Sequence, residues 1–237
     1  MSGEPNTTRA APRADTRSRR RVLLELLIPY LLILVVCWTP RPWQQVLWLV
    51  AAASIVIITC ISFDGLDAMG LRKTNFLRSS WVVGAALSIG IAAAVVAAHL
   101  QTLHVPDGPV AFIKTYWAYA LWAAVQQFLL QCFFLSRLLR LMPGARIAAW
   151  MAAGIFAIAH LPSPILTSVT FLWGLVACML FLRYRNLYPL AIAHAILGIS
   201  IAITVPGPVD HNMRVGLGYL TYRQHRGHTT PQGLPHP

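Results

Sequence analysis

The stretch WAYALWAAVQQFLLQCFFLSR, residues 117–137, is long and apolar enough to cross a membrane, yet it carries Gln126, Gln127 and Gln131 and not one acid. A hydrocarbon core of roughly 30 Å takes about 20 apolar residues to cross as a helix. An amide inside such a core has no water to bond, so it must find a partner on another element. Further along, His160 and His194 sit in equally apolar surroundings. Three amides and two imidazoles in apolar sequence therefore define the candidate site.

Composition places the whole chain in the same solvent. Of 237 residues, 57% are hydrophobic and only 11% charged, and the mean hydropathy is +0.61. A soluble domain is far more polar. Seven apolar runs read as helices: 22–38, 43–62, 81–100, 111–135, 147–160, 165–182 and 187–205. The expected fold class is all-α, a multi-pass transmembrane bundle of about seven or eight spans. The fifth run continues through Leu161-Pro162-Ser163-Pro164 into the sixth, which reads as a tight hairpin or a single broken element. Residues 1–21 read as a disordered basic tail, 22–206 as one membrane domain and 207–237 as a polar C-terminal tail. The first run lacks a small-residue cleavage site and reads as a retained helix rather than a signal peptide.

The basic residues alternate from loop to loop. The N-terminal tail holds six arginines; the following loops hold Arg41, then Arg72, Lys73 and Arg78, then Lys114, then Arg137, Arg140 and Arg146, then none, then Arg183 and Arg185. Lys and Arg are retained on the cytoplasmic side, so the chain is expected in a cell (inner) membrane with its N-terminus in the cytoplasm. Seven spans put Arg214, Arg223 and Arg226 outside, unless a short interfacial segment near Met213 to Tyr222 intervenes. The formal charge of +12 then faces anionic lipid, and nucleic acid is not needed to account for it.

Several chemistries lack their residues. Of seven acids, only Glu25 lies within an apolar run, one turn into the first. No Gly-x-Ser-x-Gly is present and no acid accompanies the membrane histidines, against a Ser-His-Asp triad. Zinc needs three or four ligands; His160, His194 and the distant His99 do not supply them, so no metal and no cofactor are expected. Cys37, Cys60, Cys132 and Cys178 have no metal-ligand spacing and read as buried thiols.

Three blocks in order, 125–139, 147–162 and 174–198, resemble the CPBP family of membrane proteases. That family includes the CAAX prenyl endopeptidases and bacterial relatives of the lysostaphin-resistance type. The first motif, Glu-Glu-x-x-x-Arg, aligns with Gln126, Gln127 and Gln131; the second, Phe-x-x-x-His, is met by Phe156 and His160. The third, His followed four residues later by Asn or Asp, is met at His194 but ends at Gly198, and Asn186-Leu-Tyr-Pro189 precedes it as the family's turn does.

The resemblance implies a helical bundle around a polar cavity, working as an intramembrane endopeptidase. By that carry-over Gln126 takes the base position, Gln127 the second acid, Gln131 the arginine, His160 the water-activating histidine and His194 the oxyanion donor, with Gly198 in place of the Asn. Membrane lipid and a peptide or lipid-modified protein would be its partners. A carboxamide has no usable proton affinity near neutral pH, and loss of the arginine along with both acids leaves the site neutral. The alternative reading is therefore a non-catalytic relative that binds a lipid-linked or peptide ligand, or scaffolds a membrane partner.

Overall fold

The computed structural model describes residues 16–63, 65–71 and 75–222; these residues form helices joined by short turns and loops, with no strand among them. In chain order the helices are α1 (Thr16–Trp38), α2 (Trp43–Ile61), α3 (Phe76–Ser79), α4 (Trp81–His99) and α5 (Gly108–Phe128). A π-helical turn (Leu129–Leu135) joins α5 to α6 (Ser136–Leu141), and then come α7 (Ala145–Ile158), α8 (Pro164–Tyr184) and α9 (Tyr188–Thr204). Two four-residue helices, α10 (Gly207–Asp210) and α11 (Leu217–Leu220), end the described chain. This is a multi-pass membrane protein: five helices have the length and composition to cross a bilayer, while α7 and α9 are apolar but shorter.

The fourth apolar run is longer than expected. From Gly108 to Leu141 it forms one continuous rod of 34 residues, about 50 Å at 1.5 Å per residue. Its upper part packs on α9, its π-helical turn on α7 and α8, and α6 on α1. The turn is the core of the molecule: Gln131, Phe133 and Leu135 are fully buried, and Leu130, Cys132 and Phe134 nearly so. Around this rod α9 is clasped between α4 and α5, while α1 with α2 and α7 with α8 form hairpins.

Small residues set the closest approach. Ala148, Ala149, Ala152 and Ala153 on α7 and Ala177 on α8 are fully buried. At Gly174 a Cβ would stand 3.2 Å from the Phe156 ring and 3.4 Å from Ala153 Cα, so glycine is what lets α8 close on α7. The segment His160 to Ser163 resolves as a tight turn, which makes the fifth and sixth runs a hairpin. Ser163 caps α8 by accepting from Leu166 N at 3.3 Å, and Pro164 occupies its first turn, where no donor is missed. The run expected to reach His160 thus stops as a helix at Ile158, and His160 lies in the turn beyond it.

The loops sort into two ends. Arg19 Nη2 donates to Leu141 O at 3.0 Å, Leu187 N to Gly70 O at 2.9 Å and Asn75 Nδ2 to Tyr184 O at 3.3 Å, gathering the start of α1 with residues 65–71, Asn75 and the 141–144 and 185–187 connections. Opposite, His104 N donates to Ile203 O and Gly216 N to Leu161 O, at 2.9 and 2.8 Å. Seven passes satisfy this sorting. The segment expected near Met213 to Tyr222 supplies only α11, too short to cross, and residues 207–222 fold over the second end. α1 starts at Thr16, so residues 16–21 belong to a helix rather than to a disordered tail; residues 1–15 and 223–237 of the expected tails lie outside the described residues.

The lone membrane acid has a cation. Glu25 Oε2 lies 3.5 Å from Arg137 Nε, and Glu25 Oε1 takes Arg21 Nε at 2.9 Å. Arg137 is 6% exposed, donates to Phe133 O at 2.9 Å and to Ser62 Oγ at 3.1 Å, and lies over the Phe133 ring. Arg21, by contrast, has a largely exposed side chain. Breaking a buried pair strands its partner in low dielectric, whereas an exposed pair contributes little. Glu25→Gln is therefore expected to lower thermal stability in detergent by about 3 kcal/mol and Arg21→Gln by about 0.5 kcal/mol. Equal losses would show that Arg137 does not depend on Glu25.

The sorting also fixes an accessibility experiment. Cysteines placed singly at the exposed positions Arg78 and Asp107, in a chain whose native cysteines are replaced, are expected to react with an impermeant thiol reagent from opposite faces of sealed vesicles. Reaction of both from one face would refute seven passes.

Candidate active site

The π-helical rod, α7, α8 and α9 bring four of the five expected polar residues together. Gln127 and Gln131 are one turn apart on the rod and fully buried. Gln131 Nε2 donates to Gln127 Oε1 at 3.3 Å, and Gln127 Nε2 meets His194 Nδ1 across the gap to α9 at 3.1 Å. In this orientation of the amides Gln127 both gives a hydrogen and accepts one, while Gln131 only donates and His194 Nδ1 only accepts. The lone pair of His194 sits on Nδ1 and its hydrogen on Nε2, which is left to donate. At the far end of the relay Gln131 Oε1 is buried without a hydrogen-bond partner, with the Cys178 thiol beside the amide.

His160 is held the opposite way. Its Nδ1 lies 2.7 Å from Phe156 O, one turn back in the chain. A carbonyl can only accept, so Nδ1 carries the hydrogen and Nε2 keeps a free lone pair. The Phe156 ring touches both imidazoles edge-on, at centroid distances of 4.8 Å to His160 and 5.9 Å to His194. Trp173 from α8 closes the other side of His194 at 6.1 Å, with its indole Nε1 buried and without a hydrogen-bond partner. One imidazole thus offers a donor and the other an acceptor around a single aromatic ring.

The local sequence explains why His194 is placed so firmly. Asn186 is 1% exposed and its Oδ1 accepts from Tyr188 N at 3.1 Å, and Pro189 comes next, in the first turn of α9. An Asx turn followed by proline starts the helix at a fixed point, so the histidine meets Gln127 rather than lipid. Arg185 closes α8 in the left-handed region at φ 49°. His194 is 5% exposed as a result.

Gln126 does not join this group. Successive residues on a helix point about 100° apart, and with Gln127 aimed at α9 its neighbour is left half-buried on another face. The position that the family resemblance gives to the base is therefore occupied by the glutamine farthest from the relay.

Two residues were missed by sequence reasoning. The first is Tyr119: a Cβ built on Gly198 would land on its hydroxyl. Gly198 lies one turn beyond His194, so Tyr119 from α5 fills the space that an asparagine side chain would take there. The sequence signal was a glycine at a polar motif position, which leaves room for a large side chain from the facing helix. The second is Arg137, whose pairing was announced by the solitary Glu25. Among the described residues, no three His, Cys, Asp or Glu side chains lie close enough to hold a metal ion.

Compared with curated proteins and with solved structures, the chain matches none. Residues 109–199 of the 237, which contain Tyr119, all three glutamines, both site histidines and Gly198, match the family model described as Type II CAAX prenyl endopeptidase Rce1-like, so the segment that builds the polar site is similar to that family.

Proposed function

We propose that this protein is an intramembrane endopeptidase of the CAAX-protease type, acting on a peptide or lipid-modified protein drawn from the bilayer, in which an imidazole pair does the work of the missing carboxylates. The observation that carries this reading is the relay from Gln131 through Gln127 to His194, because it fixes His194 Nε2 as a donor while Phe156 O fixes His160 Nε2 as an acceptor. Water attacks the scissile carbonyl as His160 Nε2 takes its proton. The carbonyl oxygen, now negative, is held by His194 Nε2–H and the Tyr119 hydroxyl. His160 then returns the proton to the departing amine, whose bond to carbon breaks. No acid neutralises the imidazolium, so turnover is expected to be two to four orders of magnitude below that of a site with a carboxylate base.

The family location supports a membrane substrate, and the alternation of basic loops supports an orientation. Among the described residues Arg19, Arg20, Arg21, Arg78, Arg140, Arg146, Arg183 and Arg185 fall at the end that holds the start of α1, against Arg41, Lys114 and Arg214 at the other. That bias supports an N-terminal end in the cytoplasm of a cell (inner) membrane.

A second reading, a relative that binds such a ligand without cutting it, is favoured by the complete burial of Gln127 and Gln131 and by glutamine at both acid positions. Purified protein incubated with a peptide library separates the two. Slow cleavage lost in His160→Ala and retained in Gln126→Ala supports the imidazole mechanism. An inert wild type that acquires cleavage only as Gln126→Glu, Gln127→Glu and Gln131→Arg together supports the binding reading. The cation must accompany the acids, since a lone charge in low dielectric is uncompensated. Cleavage unaffected by His160→Ala would refute the proposed base.

Gly198 gives an independent test of the oxyanion side. Gly198→Asn alone is expected to cost about 2 kcal/mol through overpacking against Tyr119, read as a lower thermal midpoint in detergent. Combined with Tyr119→Ala it should regain most of that loss, because the amide then occupies the vacated space. A single variant as stable as wild type would show that Tyr119 does not stand where the asparagine would.

A further inference from the structure

At the basic end of the bundle, apart from the glutamine and histidine site, lies a cavity of about 240 Å³ between the α2 C-terminus, the 65–71 connection and α6. Three arginines, Arg137, Arg140 and Arg185, and three hydroxyls, Thr59, Ser62 and Ser136, line it, and no acid is among its lining residues. Glu25 reaches it from behind, through its contacts with Arg137 and Ser62. Asp67 belongs to the connection that forms its rim. Thr59 Oγ1 is buried with no hydrogen-bond partner. Ser136 has already given its hydrogen to backbone carbonyls of the rod, at 2.7 Å to Cys132 O and 3.0 Å to Phe133 O. The volume is several times the roughly 30 Å³ that a water takes in the liquid, and so is large enough for a tetrahedral oxyanion and its ester carbons.

We propose that this cavity binds the phosphate headgroup of an anionic membrane lipid. Planar guanidinium groups hold phosphate oxygens in pairs, and the unsatisfied Thr59 hydroxyl is a donor awaiting an acceptor. Free phosphate shares this chemistry; a neighbouring groove favours the lipid. That groove of about 460 Å³ has Leu24, Ile28, Ile58 and Ile61 as its apolar walls and Arg20, Arg21 and Glu25, itself paired with Arg21, as its polar lining. Thr59 and Ser62 on the last turn of α2 line the first cavity, and Ile58 and Ile61 on the same turn line the second. A headgroup on one side of that turn has an apolar surface for its chains on the other.

Native mass spectrometry of the full chain, released from micelles of mixed phosphatidylglycerol and phosphatidylcholine, tests this directly. One phosphatidylglycerol is expected to be retained per chain, in preference to phosphatidylcholine. Arg140→Gln with Arg185→Gln should abolish that retention, with a loss of roughly fivefold in affinity per guanidinium. Arg78→Gln with Arg146→Gln removes the same charge from exposed positions at this end but outside the cavity, and should leave it intact. Equal loss in both pairs of variants would overturn the proposal in favour of diffuse surface attraction. Retention of the lipid unchanged by the cavity variants, or its displacement by millimolar inorganic phosphate or glycerol phosphate, would overturn the assignment to a lipid headgroup. Arg137 is left untouched because its loss would remove the buried cation beside Glu25.

Discussion

Hydrocarbon offers no hydrogen bonds, and that single condition organises the interior of this bundle. Gln127 and Gln131 bring two donors and an acceptor each into a place where nothing but protein can satisfy them. Their solution is to bond in series, Gln131 to Gln127 to His194, and the series fixes more than stability. It ties the central rod to α9, gives His194 one tautomer, and leaves the last carbonyl oxygen, on Gln131, without a bond. The rest of the bundle is arranged so that this line can exist: the alanine and glycine face between α7 and α8 brings Phe156 in, and the Asn186 turn sets the start of α9.

Charge obeys the same condition at the bundle's basic end. There Glu25, Arg137 and Ser62 meet where α1, α2 and the rod converge, half in the apolar region and half in reach of the surface. A charged pair can persist at this depth because Arg137 also has a backbone carbonyl and an aromatic face. The neutral relay and the charged junction belong to one continuous helix, with the π-helical turn between Gln127 and Arg137.

Much of this is legible in the amino-acid sequence alone. The apolar runs mark the helices, and the alternation of basic loops agrees with the way hydrogen bonds gather the loops at two ends. The Asn186 to Pro189 turn marks the start of α9, since proline costs nothing in a first turn. Gln127, Gln131, His160 and His194 stand out because polar groups in apolar sequence have few explanations. The features that stay hidden depend on the partner helix. Gln126 looks equivalent to Gln127 in sequence, and only the direction of α9 separates them. Tyr119 reads as an ordinary aromatic until Gly198 is seen beneath its hydroxyl. The end of α7 escapes notice because Ala159, His160 and Leu161 continue an apolar run while the backbone has already turned.

The π-helical turn from Leu129 to Leu135 couples parts of the protein that share no contact. A π turn accommodates one more residue than an α turn, so each residue beyond it lags by about 100° of rotation and about 1.5 Å of rise behind its place in a regular helix. The face of the rod that meets α9 ends with Gln127 above the turn, the turn itself packs on α7 and α8, and a different face, carrying Arg137, takes over against α1. A one-residue change in length within this turn would leave each end chemically intact while aiming one of them at lipid. The length of this stretch is thus held by two unrelated demands at once, an amide seeking an imidazole and a guanidinium seeking a carboxylate.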